Sequence, residues 1–533
     1  MAELGDIGGR YEPAEYDVTD PKKKKIARLY EMHYCNGKAM PEIQSGRCVE
    51  ELKEELETLG FEVGHKINLD ENSLRKDLLS IAKGTEELAC LWVFVFAITT
   101  EQLIHCYMGA ITLEELWAPF TSDKCKILLG KPKMFFVQAD IMDKDEDKER
   151  PAVLFNRIQP EGGKKISTSP VSADFLIAQF YRHGPGDLSM GRVISEELRK
   201  SDPQRITAML TSIHRRRWRD APRFSTTFRK KLLLPPRRRS IDTEPRNTDD
   251  TSEERYASRR LMAYSFVFGD FQKHLSLEKL LHATEDKVVI KKAMKELGFP
   301  YEDCNKNWTL MAHEMRKKLE EIAENKEKAD GVMIFISTHG EHDHIYAYDK
   351  LIKFSDLLSP FNESESLKGK PKIFFIDACR GNEVEKTYNE EIREPKTAHN
   401  GTKPGRNGDD GEATSKSSSG MERVMPDAEP AGPSQEKTST DETSRGSDML
   451  IGQSSVDCKM AFQASSTGSL CGSLYTQHLC EKFAEGGTDF NLLDLMITTN
   501  DFISRQFQEC TNQKSQCQMP TFTSSLRKKI VLH

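Results

Sequence analysis

Two short, unbroken apolar runs stand out from an otherwise mixed chain: residues 331–336 (GVMIFI) and 373–376 (IFFI, within KPKIFFIDACRG, 370–381). Apolar runs of this length, the second bounded by Pro371 and Gly381, predict strands buried on both faces of a parallel sheet. Each run ends in polar residues. The first leads into Ser337, Thr338, His339, Gly340 and Glu341, the second into Asp377, Ala378, Cys379, Arg380 and Gly381. Open α/β sheets carry their chemistry at the carboxyl ends of strands. If these two strands are neighbours, His339 and Cys379 meet at one sheet edge, and a thiol beside an imidazole is an activated nucleophile.

The pattern occurs twice. Residues 128–140 (LLGKPKMFFVQAD) match 367–379 (LKGKPKIFFIDAC), and 91–98 (LWVFVFAI) is the counterpart of the run before His339. Residues 52–61 (LKEELETLGF) match 290–299 (IKKAMKELGF), in each case a helix closed by a C-cap glycine. Residues 222–234 (PRFSTTFRKKLLL) match 520–532 (PTFTSSLRKKIVL). The order is the same in both halves at a period of about 240 residues, which predicts duplication of a whole domain and not a solenoid. The expected organisation is a polar tail over 1–23, a first α/β domain over 24–234, a linker over 235–257, and a second domain. The second domain divides into a large part (258–382), a disordered connector (383–446) and a small part (447–533). The connector is rich in Gly, Ser, Glu, Lys and Pro, a composition that buries too little apolar surface to offset chain entropy. Each domain is expected to hold a mainly parallel central sheet flanked by helices.

Composition narrows the function. Of 533 residues, 37% are hydrophobic and 30% charged, and the net charge of -7 gives no reason to expect a nucleic-acid partner. The arginines of 214–219 (HRRRWR) read as a solvated helix end, and the lysines of 22–25 as a solvated tail. The 12 cysteines form no CxxC pair, and no cofactor or metal-ligand set is expected. No basic-then-apolar leader opens the chain, and the longest apolar stretch, 88–98, is too short to span a bilayer. The expectation is a cytoplasmic protein with reduced thiols and no membrane partner.

STHGE and DACRG, about 40 residues apart and each after a buried strand, resemble the histidine and cysteine boxes of the caspase family. The resemblance implies two tandem caspase-like (caspase–hemoglobinase) domains, each with a p20-type large and a p10-type small part. It implies a thiol protease made as a zymogen and cut in the connector between them. Cys379 is then the nucleophile and His339 the proton donor to the leaving amine, with oxyanion donors from the N–H groups of Gly340 and Cys379 and no cofactor. In the first domain, Thr99 and Thr100 align with His339 and Gly340, and Asp140 with Cys379, so that domain is expected to be a pseudo-protease.

Substrate choice departs from the family. Caspases hold a P1 aspartate with two arginines and a glutamine two residues before the cysteine. Here that glutamine is Asp377, and Leu280 and Thr467, with Ser465 nearby, stand near the arginine positions. The first domain keeps a glutamine, Gln138, with Gln44 near an arginine position. The related metacaspases and paracaspases carry an acidic residue at the Asp377 position and cleave after Arg or Lys. Two readings stay open: an S1 pocket for a P1 cation, or a neutral pocket in which Asp377 pairs with a local base. The expected function is a cysteine endopeptidase acting on protein substrates in apoptosis or innate immune signalling, regulated by its inactive first domain. The alternative is a catalytically silent decoy that binds other caspases. Pairing through the edge strands of the small parts is expected either with other caspase-like chains or between the two domains of one chain.

Overall fold

The computed structural model describes residues 14–39, 46–100, 103–140, 169–184, 186–200, 205–216, 218–234, 255–257, 260–341, 343–380, 385–388, 446–456, 463–464, 472–484, 490–511 and 516–532. The first half contains β1 (Lys24–Glu31), α1 (Gly46–Thr58), β2 (Phe61–Ile67), α2 (Glu71–Ala82), β3 (Leu88–Thr100), β4 (Lys133–Asp140), β5 (Phe175–Arg182), α3 (Met190–Leu198), α4 (Ile206–His214) and β6 (Arg223–Thr226). The second contains β7 (Leu261–Val267), α5 (Ala283–Glu296), β8 (Tyr301–Asp303), α6 (Ala312–Ala323), β9 (Gly331–Ser337), α7 (Phe354–Asn362), β10 (Lys372–Asp377), β11 (Met449–Gln453), α8 (Leu474–Ala484), α9 (Leu492–Thr511) and β12 (Thr521–Ser524).

These strands form one mixed, mainly parallel sheet in the order β8-β7-β9-β10-β11-β12-β6-β5-β4-β3-β1-β2. The apolar runs are buried on both faces because side chains alternate along a strand. In β3, Trp92, Phe94 and Phe96 enter a core layer that continues across both halves, under α1, α3, α4, α5, α8 and α9. Leu91, Val93 and Val95 point to the opposite layer, under α2. In β9, Met333 and Phe335 face the shared layer, while Val332, Ile334 and Ile336 face a layer under α6 and α7.

The strand order of one half repeats in the other about the antiparallel pair β6–β12. Phe224 pairs with Ser524, Ser225 with Thr523 and Thr226 with Phe522. In the sequence repeat Phe224 is the counterpart of Phe522, and Thr226 of Ser524, so the contact is reciprocal about Ser225 and Thr523. Their hydroxyls lie 2.6 Å apart. The rings of Phe224 and Phe522 meet edge-on at 6.2 Å. Around the seam, Arg205 pairs with Asp494, and the Asn500 amide donates to the Phe228 carbonyl at 3.2 Å.

A polar lock is also duplicated. Tyr16 donates to Asp174 at 2.7 Å, and Arg229 forks onto the same carboxylate at 3.1 and 2.7 Å. Tyr256 donates to Asp448 at 2.6 Å, and Arg527 forks onto it at 2.8 Å through both nitrogens. Two expected boundaries therefore move. Tyr16 and Val18 are buried although 1–23 reads as a polar tail, and Tyr256 is buried although 235–257 reads as a linker. A lone aromatic that caps a buried carboxylate leaves no periodic signal in a polar stretch. The connector also begins later than expected, because Glu385–Tyr388 is a strand; residues 389–445 lie outside the described residues.

His214 supplies a pH-dependent contribution at the seam. Its Nδ1–H donates to the Leu526 carbonyl at 3.1 Å, and burial pushes its pKa down to about 4. An unfolded histidine titrates near pH 6.5, so between about 6.5 and 4 the unfolded chain binds a proton that the folded chain refuses. Stability should fall across that window by up to about 3 kcal/mol from this group. His478, pushed down to about 3 by burial, adds a separate share. Urea unfolding of wild type and His214→Gln from pH 7 to pH 4 checks this: the variant should lose less stability on acidification, and parallel curves would refute it.

Candidate active site

The two buried strands are neighbours. β9 and β10 run parallel, with Ile336 opposite Ile376 and Ser337 opposite Asp377. The ladder continues past both ends, since Thr338 N donates to the Asp377 carbonyl at 3.0 Å. The next residues, His339 and Cys379, are thereby brought side by side at the carboxyl edge. By the alternation of Phe335 and Phe375, Ser337 and Asp377 face the shared core layer, the side covered by α5 and α8. Both His339 and Cys379 are half-buried.

The imidazole is held from behind. His339 Nε2 lies 2.8 Å from the Glu278 carbonyl oxygen. A carbonyl only accepts, so Nε2 carries the hydrogen and the neutral ring keeps a lone pair on Nδ1. The Phe271 ring packs against it, centroids 5.0 Å apart. The main chain of His339 is fixed by Tyr346 N donating to its carbonyl at 2.9 Å. Gly340 passes so close over the cysteine that a Cβ there would stand 2.5 Å from the Cys379 carbonyl oxygen and 3.0 Å from that of His344. The sequence offered no signal for Glu278, because it acts through its backbone.

Arg380 was also not singled out by the sequence. The residue is 1% exposed, and its guanidinium donates to Gln453 at 3.4 Å and lies 5.9 Å from the centre of the Phe354 ring. It ties the end of β10 to β11.

Asp377 is buried at the N-terminus of α8. Its Oδ2 accepts from Ser473 Oγ, from Thr476 Oγ1 at 2.9 Å and from Thr476 N at 3.3 Å. Burial pushes its carboxyl up, against the hydrogen bonds from Ser473 and Thr476. Among the described residues no lysine or arginine forms an ion pair with it. Leu280 is partly buried against the core. Ser465 and Thr467, the other expected pocket residues, lie outside the described residues, as do Gln44, His342 and Gly381.

The corresponding edge of the first half carries other chemistry, and the expected alignment of Thr99 and Thr100 with His339 and Gly340 shifts by one residue. β3 and β4 pair Phe96 with Gln138 and Ile98 with Asp140. Gln138 takes the place of Asp377, so Phe96 corresponds to Ser337 and Ile98 to His339. The following hairpins agree: Thr99 pairs with Ile104 as Gly340 pairs with Ile345. Thr99 therefore stands where Gly340 stands, and not at the histidine position. Asp140 does occupy the Cys379 position. Its carboxyl is 3.5 Å from Arg182 and accepts from Gln138 at 3.3 Å, and burial pushes it up to about 6. Gln138 Oε1 accepts from Met190 N at 2.9 Å and Ser189 Oγ at 3.2 Å at the start of α3, as Asp377 does at α8.

The segment after Cys379 is held by both halves. Glu385–Tyr388 pairs on one side with Gln516–Cys517 and on the other with Ser169–Pro170 of the first half.

The chain matches the family model for the caspase domain over residues 43–192 and 266–531. Chicken caspase-6 is 27% identical over 283 residues, covering 52% of this chain and 81% of that protein. Mouse caspase-8 is 29% identical over 256 residues, covering 46% of this chain and 44% of that protein. A crystal structure of caspase-1 from Spodoptera frugiperda is 22% identical with a TM-score of 0.38, covering 55% of this chain and 97% of its own. No helix among the described residues is long and apolar enough to cross a membrane. With the family model matched along most of its length, the chain belongs to the caspase family of cysteine peptidases.

Proposed function

We propose that the chain is an active cysteine endopeptidase whose chemistry resides in its second half, with Cys379 and His339 as the catalytic pair. The observation that carries this is the placement of the two residues on adjacent strand ends, with His339 Nε2 tied to the Glu278 carbonyl. That bond leaves Nδ1 for proton transfer. The Cys379 thiol passes its proton to His339 Nδ1, the resulting thiolate attacks the scissile carbonyl carbon, and the tetrahedral oxyanion accepts hydrogen bonds from the N–H groups of Gly340 and Cys379. The C–N bond then breaks as His339 gives a proton to the leaving amine. Water attacks the thioester, passing its proton to His339, and the acid leaves with the thiolate restored.

The first half, 24–234, acts as a regulatory pseudo-protease. Its edge offers Ile98 and Asp140, and the nearby Arg182 pairs with that aspartate. It serves the second half (258–382 and 447–533) through the seam and through Ser169–Pro170, which pairs with the segment after Cys379. Because this support comes from the same chain, assembly of the two halves needs no second molecule, and maturation of the zymogen is by cutting the connector. Self-cleavage after a basic P1 would fall at Arg393, Arg406, Arg423 or Arg445, and after an aspartate at Asp409, Asp410, Asp427 or Asp441, all of which lie outside the described residues. Asp377 selects Arg or Lys at P1, since an uncompensated carboxylate repels a P1 aspartate. Cytoplasmic action in apoptotic or innate immune signalling fits a peptidase of this kind.

Two outcomes are expected of the purified full chain. Cys379→Ala and His339→Ala should abolish cleavage of a peptide library with thermal unfolding unchanged; turnover by Cys379→Ala would refute the assignment. If wild type cleaves nothing and Cys379 is no more reactive to thiol reagents than the other cysteines, the decoy reading stands instead. Gly340→Ala should slow Cys379 capture of a peptide electrophile on the order of 100-fold, because the added methyl displaces the cysteine backbone. Unchanged capture would show that the close passage of Gly340 is unimportant.

A further inference from the structure

The hold on His339 depends on where the Glu278 carbonyl stands, and Glu278 lies in the loop 268–282 between β7 and α5. A backbone oxygen moves only when its loop moves. The loop is closed on itself by Leu280 N, which donates to the Gly269 carbonyl at 3.1 Å. Gln272 N ties it to the Tyr348 carbonyl at 2.9 Å. An exposed ion pair, Lys279 with Asp270 at 2.6 Å, adds little. The start of the loop lies against Trp308. A Cβ at Gly269 would stand 3.0 Å from Trp308 Cε3 and 3.2 Å from Cζ3, so the glycine lets the loop backbone rest on the indole.

Trp308 is itself held from several sides. Its φ is 66°, a left-handed backbone that a bulky residue adopts only where its surroundings impose it. Lys287 of α5, largely buried, sets its ammonium 3.6 Å from the centre of the Trp308 ring. The same ammonium is anchored on Asp303 at 3.1 Å. Asn305, also buried, donates to the Val267 carbonyl at 3.0 Å and accepts from Leu310 N at 3.2 Å. The Leu310 carbonyl accepts in turn from Tyr348 N at 3.2 Å. The segment 303–310 thus meets the Glu278 loop directly at Gly269, and through Tyr348 at Gln272.

The fold itself does not require this brace. Phe61 and Phe299 are counterparts in the sequence repeat. The segment from that phenylalanine to the cap of the next helix is three residues longer in the second half (Phe299 to Met311) than in the first (Phe61 to Asp70). Trp308 lies within the longer segment. The same repeat places Val49 at the Lys287 position, so the first half has no cation there either. With Ile98 at the histidine position, that half also has no imidazole to hold. The brace is an addition of the half that carries the cysteine and histidine.

We propose that Trp308, clamped by Lys287, is a positioning residue for His339: it sets the height of the loop whose Glu278 carbonyl fixes the imidazole. This rests on the peptidase reading above. Removing the indole opens space beneath Gly269, the loop settles into it, and the Glu278 carbonyl withdraws from Nε2. The ring then no longer presents Nδ1 at a fixed place between Cys379 and the leaving amine. Proton transfer is steeply sensitive to such misplacement.

The test uses the full chain and one peptide presented both as an amide and as a thioester. An amine leaves only with a proton from His339, whereas a thiolate leaves without one. Trp308→Ala should lower kcat/KM for the amide on the order of 10- to 100-fold, and for the thioester by no more than about threefold. Trp308→Phe, which keeps an aromatic face for Lys287, should recover most of the amide rate. Gly269→Ala, whose new methyl group meets the indole, should show the same split, and it carries the test by itself where Trp308→Ala does not fold. In the double variant the atoms that the methyl group meets are gone, so it should be no slower than Trp308→Ala alone. Equal losses on amide and thioester, no loss on either, or losses that multiply in the double variant overturn the inference while leaving the peptidase reading intact. Wild type that cleaves neither substrate overturns the peptidase reading and this inference with it.

Discussion

The pairing of β6 with β12 is the contact on which the rest of the molecule depends. Each is the strand at the end of its half's share of the sheet, and an unpaired edge strand presents a row of unsatisfied N–H and C=O groups that invites association. Here the two edges satisfy each other in reciprocal register about Ser225 and Thr523. Phe224 and Phe522, both fully buried, join the two cores into one layer; truncating a buried Phe typically costs about 3–5 kcal/mol. Because the halves belong to one chain, their association is intramolecular, which raises the effective concentration of each for the other.

That constraint reaches the site through the segment that follows Cys379. The strand Glu385–Tyr388 lies between one strand from each half. In the proposed function, the half that lacks the cysteine and histidine supports the loop around Cys379 through this strand. The two halves share a scaffold but not a catalytic edge. The duplicated Tyr–Asp–Arg locks and the buried lysines, Lys133 and Lys372, recur almost atom for atom, whereas the catalytic edges differ in every chemically active side chain.

Much of this was legible in the sequence because it is written in apolar runs and in repeats. The runs at 331–336 and 373–376 are strands, and the terminal repeat at 222–234 and 520–532 contains the two strands of the seam. Register was not legible. Residues 91–98 are apolar without a break, so no alternation distinguishes one face from the other, and a one-residue slip costs nothing at the level of pattern. That is why Thr99 reads as the histidine position while the hydrogen-bonded ladder puts Ile98 there. Contacts made by backbone or by isolated residues were hidden for a different reason. The Glu278 carbonyl has no side-chain signature, and Tyr16 and Tyr256 are single residues in polar surroundings whose role depends on partners far away in the chain.

The central claim is that one chain supplies everything the Cys379 loop needs. It is tested most directly by measuring the rate at which a peptide electrophile captures Cys379 in the full chain over a dilution series from micromolar to low nanomolar protein. An intramolecular seam predicts a rate per chain that is independent of protein concentration. A rate that falls on dilution and recovers on concentration would mean that a second chain is needed, and would contradict the account.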